Sequence, residues 1–339
     1  MHSLVPLIFQ SIISRCSRLA ALLGLLLLVG CATTPPWPDP AIAGQTDIQP
    51  QQLLVDVPFF PQEKYQCGPA SLATMLNSQG LNTDPEILKE LVYLPGREGS
   101  LQVEMVAGAR SHNMVVYPLK PDIESLLTEV SAGNPVLVMQ NLGFSWWPQW
   151  HFAVVVGYDH QDETLILNTD TRKHNRQPYE VFHNTWNRAD RWAMVILPPD
   201  QLPATAELLT WLRAAHDLET TGHTLAAETA YRTAENHWMN EPAPLLALGN
   251  LAYAQKRFKA AANHLIRATE RFPEFAEGWN NLAYALSAAD CSEQATHALA
   301  CAANLASERF QVEDFQSDTP APVNGFTCPS LPACPVKNN

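Results

Sequence analysis

The chain has 339 residues, 46% of them hydrophobic and 16% charged, with a formal net charge of −13 at pH 7. An acid excess of that size opposes general affinity for nucleic acid or anionic lipid, and no basic stripe offsets it. The length suits two compact domains rather than one core. Breaks in composition set the joints: Pro-rich polar sequence over 35–52, "LPPDQLPA" at 197–204, and an aperiodic, proline-rich stretch after about residue 307. The boundaries read as 1–30, 31–52, 53–200, 205–306 and 307–339.

Residues 1–30 hold Arg15 and Arg18, then the apolar run "LAALLGLLLLVG", then reach Cys31, the basic, apolar, cleavage order of a secretory signal. The run is about twelve residues where roughly twenty are needed to span a bilayer. "LVGC" resembles the lipobox of bacterial lipoproteins, which implies lipidation of Cys31 and a membrane held through that anchor. Ala32 after the cysteine implies the outer membrane, facing the periplasm. Residues 31–52 then serve as a tether.

"YQCGPASLATML" puts Cys67 before Gly68 and Pro69, which suit the first positions of a helix, with Leu72, Met75 and Leu76 on one face. The positive end of the helix dipole lowers a thiol pKa, so the position predicts a reactive thiolate. "DPEILKELVYL" and "LQVEMVAGARSH" read as helices, "NMVVYPL" as a strand, "DIESLLTEVSAG" as a helix and "PVLVMQN" as a strand. "LGFSWWPQW" comes next, and Trp146, Trp147 and Trp150 read either as the wall of a peptide groove or as core packing. His151 opens "HFAVVVGYD", a β-branched strand, and "ETLILN" returns as its hairpin partner. That hairpin brings Asn168 and Asp170 level with His151, and either suits the third group of a triad. His112, His160, His174 and His183 lie in polar or loop-like stretches.

"VPFFPQEKYQCGPASLATML", "HFAVVVGYD" and "FHNTWNRADRWAMVIL" together resemble the bacteriocin-processing, double-glycine leader peptidases, a papain-like group, and a branch of exported lipoproteins that joins such a domain to tetratricopeptide repeats. The resemblance implies an α+β papain-like cysteine peptidase domain over 53–200, with Cys67 as nucleophile, His151 as general base and a glutamine before the cysteine in the oxyanion hole. Phe182, Trp186 and Trp192 fit the family's closing strand, short helix and last strand. The family's glutamine sits six residues before the cysteine; here Gln62 is five before and Gln66 one before, and Gln62 is the match. The usual Asp-Pro pair is absent from "NTDT"; Asp170 is taken over Asn168 because a carboxylate stabilises imidazolium better than an amide. A peptide or protein substrate is expected. Two rivals stand beside this reading: a non-catalytic peptide-binding adaptor or scaffold lipoprotein, and a murein endopeptidase, which shares the Cys-then-His order.

From Leu208 the chain repeats every 34 residues. Fourth positions are Trp211, Leu245 and Trp279, twentieth positions Ala227, Ala261 and Ala295, and twenty-seventh positions Ala234, Ala268 and Ala302. This resembles the tetratricopeptide repeat and implies an all-α solenoid of three repeats, 205–306, with a possible protein partner on it. Of the cysteines beyond Cys67, Cys291 and Cys301 lie ten residues apart on one helix, about 15 Å, too far for the roughly 4.4–6.8 Å of a disulfide. Cys328 and Cys334 lie in the tail 307–339, so oxidation of all four requires each helix cysteine to reach the tail, stapling it over the last repeat. No metal or nucleotide cofactor is indicated, and nothing matches a phosphate-binding glycine loop.

Overall fold

The computed structural model describes residues 36–38, 49–62, 66–311 and 327–335. Cys31, the apolar run and most of the tether lie outside the described residues. The chain divides into two units, Met1–Trp37 and Pro38–Asn339. Among the described residues, every helix and strand belongs to the second unit.

Its first part is an antiparallel sheet with helices on both faces. In chain order come β1 (Gln51–Leu53), α1 (Cys67–Ser78), α2 (Pro85–Val92), a 3-10 turn (Pro95–Arg97), α3 (Gln102–Ser111), β2 (Val115–Pro118), α4 (Ile123–Ser131), β3 (Val136–Asn141), β4 (Trp150–Asp159), β5 (Thr164–Thr169), β6 (Arg172–Pro178), α5 (Tyr179–Asn187) and β7 (Ala193–Leu197). The strand order is β2-β7-β3-β4-β5-β6, with β1 paired to the far end of β4. β3 pairs with the first half of β4, from Trp150 to Val155, and β1 takes Gly157 to Asp159. A Cβ at Gly157 would stand 2.4 Å from the Gln52 carbonyl oxygen, so β1 packs there only against glycine.

Local chemistry accounts for the helix starts. Asp84 Oδ1 accepts from the amides of Glu86 and Ile87 at 2.9 and 3.0 Å ahead of Pro85, and Asp122 Oδ1 accepts from Ser125 at 2.7 Å. α1 differs, because Gln66 at its N-cap makes no side-chain capping bond. Its first amides are left for another acceptor.

The main core lies between α1–α3 and one sheet face. Leu72, Met75 and Leu76 of α1, Leu88 and Val92 of α2 and Met105 of α3 meet Phe152, Val154 and Val156 of β4, all buried. Alternate β4 residues, Ala153 and Val155, are buried on the opposite face, which α4 and α5 cover. Truncating Leu72 or Met75 to alanine is expected to cost about 2–5 kcal/mol, which makes α1 a fixed mount for its first residue.

Six helices complete the unit: α6 (Leu208–Thr220), α7 (Thr224–His237), α8 (Ala243–Ala254), α9 (Phe258–Arg271), α10 (Ala276–Ala288) and α11 (Ser292–Leu305). α7, α9 and α11 begin at 224, 258 and 292, the same 34-residue step as the sequence period. Trp211, Leu245 and Trp279 are buried, and buried Ala227, Ala261 and Ala295 let the paired helices approach. Disulfides join Cys291 to Cys328 and Cys301 to Cys334, with Cα separations of 5.6 and 5.7 Å. Cys328, Leu331 and Cys334 pack on the cluster formed by α9, α10 and α11, so this part of the tail covers the last helix pair.

The proline-rich joint before α6 is held against the sheet domain. Glu129 of α4, fully buried, accepts from the Thr205 amide at 2.7 Å, the Thr205 hydroxyl at 2.6 Å, the Ala204 amide at 3.2 Å and Asn134 at 2.7 Å. Tyr117 donates its hydroxyl to the Thr205 carbonyl at 3.0 Å, and Arg110 pairs with Asp217 of α6 at 2.5 Å. Prolines keep the sequence aperiodic here, yet the backbone is bonded like a domain interface.

Candidate active site

Cys67, His151, Gln62 and Asp170 line one open cleft of about 630 Å³. Residues 97–101, from the last residue of the 3-10 turn onward, form one wall, and residues 148–152, entering β4, form the other. Cys67 is half-buried and is the free cysteine among the described residues. The backbone amides of Cys67 and Gly68, uncapped at the start of α1, and that of Phe152 pull its thiol pKa down. Phe152 follows His151 on β4, and Cys67 at the start of α1 and His151 at the start of β4 line the same cleft. A Cβ at Gly68 would lie 2.1 Å from Ser100 Oγ, so the 97–101 wall closes over the helix start only because residue 68 has no side chain.

The three amides favour the thiolate, but burial outweighs them and pushes the Cys67 thiol above its ordinary value. This corrects the expectation of a depressed thiol pKa from the helix dipole: the same packing that fixes the sulfur removes it from water. Burial also lowers the His151 pKa, against an upward pull from Asp170 and with a smaller downward push from Arg172. Burial thus disfavours the charged form of both side chains.

His151 Nε2 is 2.7 Å from Thr169 Oγ1, the hydrogen bond that orients the ring. Asp170, the residue chosen from the sequence, lies in the two-residue turn between β5 and β6 with φ 53°. Its carboxylate is 57% exposed, 3.9 Å from Arg172, and among the described residues no hydrogen bond joins it to His151. Asn168 pairs opposite Val154 and is spent on the Pro58 carbonyl and the His174 amide at 3.4 and 3.1 Å. Sequence reasoning missed Thr169 because β4 carries a bulge between Val155 and Gly157. An unbroken hairpin turns 168 and 170 toward the His151 face; the one-residue shift turns 169 there instead.

Gln62 ties three elements together. Its amide N–H donates to the Asp170 carbonyl at 2.9 Å, and its side-chain nitrogen donates to Ser71 Oγ and the Phe152 carbonyl, both at 3.3 Å. Its Oε1 is buried and has no hydrogen-bond partner among the described residues. Gln66 is not part of the cleft wall; its amide, in the orientation that satisfies both ends, meets Glu86 and Lys89 of α2. Trp150 lines the cleft, whereas Trp146 and Trp147 do not and stand 76% and 64% exposed, so neither the groove wall nor the core claims them. His112 bonds the Gly108 carbonyl at 2.8 Å near the end of α3, and His183 packs on Tyr179, outside the cleft. Among the described residues no cluster of metal-ligating side chains occurs.

Residues 54–194 match the model of the Peptidase_C39 like family, which supports a cysteine peptidase function for this part of the chain. No curated protein matches the chain. Two solved structures are similar to it: a C39-like peptidase from Bacillus anthracis, at 20% identity over 43% of this chain and 97% of that one with a TM-score of 0.37, and the peptidase domain of Streptococcus ComA, a bi-functional ABC transporter of a quorum-sensing pathway, at 24% identity over 42% and 98% with a TM-score of 0.33.

Proposed function

We propose that residues 53–200 are a cysteine endopeptidase, tethered to the outer membrane through lipid on Cys31 and facing the periplasm, with the helical region acting as tetratricopeptide repeats that dock substrate or partner. The observation that carries this reading is the shared cleft, which Cys67, His151, Gln62 and Asp170 line together.

His151 takes the thiol proton as Cys67 Sγ attacks the peptide carbonyl carbon, and returns it to the leaving amine as the C–N bond breaks. The acyl thioester is then hydrolysed by water, activated by the same imidazole. Thr169 engages Nε2 and so leaves Nδ1 as the nitrogen that exchanges this proton. Asp170, close enough to pull the imidazole toward its charged form, stabilises imidazolium through space. The Cys67 amide meets the oxyanion, and Gln62 joins it by releasing one of its two 3.3 Å bonds. The adaptor reading draws on a thiol whose pKa burial raises and on a glutamine amide already engaged.

Envelope extract incubated with the chain or with Cys67→Ala distinguishes them. A peptidase releases new peptide termini that the variant does not; identical peptide sets leave the adaptor.

A further inference from the structure

The loop between β3 and β4 presents an aromatic tip, Phe144, Trp146 and Trp147, that does not line the cleft. Leu142, Phe144, Trp146, Trp147 and Trp150 are 52–76% exposed, and the sequence from Asn141 to Phe152, "NLGFSWWPQWHF", has no charged side chain. The tip is stiff. Asn141 Oδ1 accepts from the Gly143 and Gln149 amides at 3.0 and 2.9 Å, Phe144 and Trp147 exchange two backbone bonds at 3.1 Å, and Phe144 stacks on Trp146 at 5.5 Å. A Cβ at Gly143 would lie 2.4 Å from the Trp147 carbonyl oxygen, so the turn is closed as tightly as the backbone allows.

We propose that this tip docks into the interface of a lipid bilayer, with Trp146 and Trp147 at the headgroup level. Indole suits that region because an apolar body carries one N–H donor, and a convex, uncharged, pre-ordered tip enters it at little entropic cost. A peptide is a poorer occupant, since Trp146 and Trp147 line neither the cleft nor the 240 Å³ pocket on the other side of His151. The chain's charge of −13 makes attraction to anionic lipid unfavourable, so the contact is apolar and insensitive to salt. The lipid expected on Cys31 lies twenty residues before β1, a leash of at most roughly 70 Å, which keeps the fold within reach of the membrane. Residues 148–150 belong to both the loop and the cleft wall, so docking sets the cleft mouth at the bilayer surface.

The test compares the full chain with its Trp146→Ser/Trp147→Ser variant in phosphatidylcholine vesicles brominated in the acyl chains, reading the fraction of tryptophan emission that bromine quenches. Both side chains are exposed, and matching circular dichroism controls for folding. The chain has nine tryptophans. Removing two that sit in the bilayer lowers the quenched fraction, at high salt as at low salt, whatever the lipid anchor does. An unchanged or raised fraction overturns the proposal, because two tryptophans outside the bilayer have then been removed. A concentration-dependent blue shift without vesicles, lost in the variant, also overturns it and assigns the tip to a second copy of the chain.

Discussion

Thr169→Val removes the hydroxyl that holds the imidazole and keeps the side-chain shape. The lost bond is 2.7 Å long and Thr169 is buried, so Nε2 is left facing a methyl group. An unsatisfied buried donor or acceptor costs about 1–3 kcal/mol, and if that cost is expressed in the transition state kcat falls roughly 5- to 150-fold. KM is expected to hold, since Thr169 is outside the cleft lining. Asp170→Asn is the paired control. Its carboxylate is 57% exposed and screened, so an effect of about 0.2–1 kcal/mol, a few-fold in kcat, is expected. Turnover is measured on a peptide found by comparing the chain with Cys67→Ala, across pH, with Thr169→Ser restoring most of the rate. If Asp170→Asn is the more damaging of the two, or if Thr169→Val changes KM alone, the hydroxyl does not orient the base.

The same geometry fixes four other outcomes. The rate of Cys67 alkylation by iodoacetamide should still be climbing at about pH 9, because burial raises the thiol; a plateau from about pH 4 would indicate a preformed thiolate–imidazolium pair. In kcat/KM the acid limb should fall below about pH 6.5, since a lowered imidazole stays neutral, and competent as a base, to lower pH than a free one; a limb above that value contradicts the assignment of burial as the cause. Gly68→Ala forces the Ser100 segment outward from 2.1 Å and should cost about 1–3 kcal/mol, read as a lower thermal midpoint with slower alkylation of Cys67; an unchanged midpoint means the wall yields freely. Reducing the two disulfides, which span 37 and 33 residues, should lower the stability of the last helix pair by about 2–4 kcal/mol each, visible as faster amide exchange in α11 than in α1; equal exchange before and after reduction refutes the staple.

How far the sequence could be read depended on whether the signal was periodic. α2, α3, α4 and β2 to β5 lie where spacing and caps put them, and the 34-residue step carries through to α7, α9 and α11 because alanine is needed wherever two helices touch. Cys67 and His151 stood out because each sits at the end of an apolar element. Local departures from regularity were not legible. One inserted residue in β4 exchanged Asp170 for Thr169 beside the imidazole, and no residue type in "AVVVGY" announces it apart from Gly157. The thiol pKa was misjudged because helix polarity can be read from a sequence and burial of the helix start cannot. The tryptophans admitted a groove or a core, and the tight turn at Gly143 gave Trp146 and Trp147 neither.

The joint action of Cys67 and His151 is tested most directly by acid-quenching a reaction with a cleaved peptide and weighing the Cys67 fragment. An acyl half of the substrate should be found on Cys67 in the parent chain and be absent when His151 is alanine. A fragment without added mass, or one acylated equally in His151→Ala, would mean that sulfur and imidazole do not work as nucleophile and base.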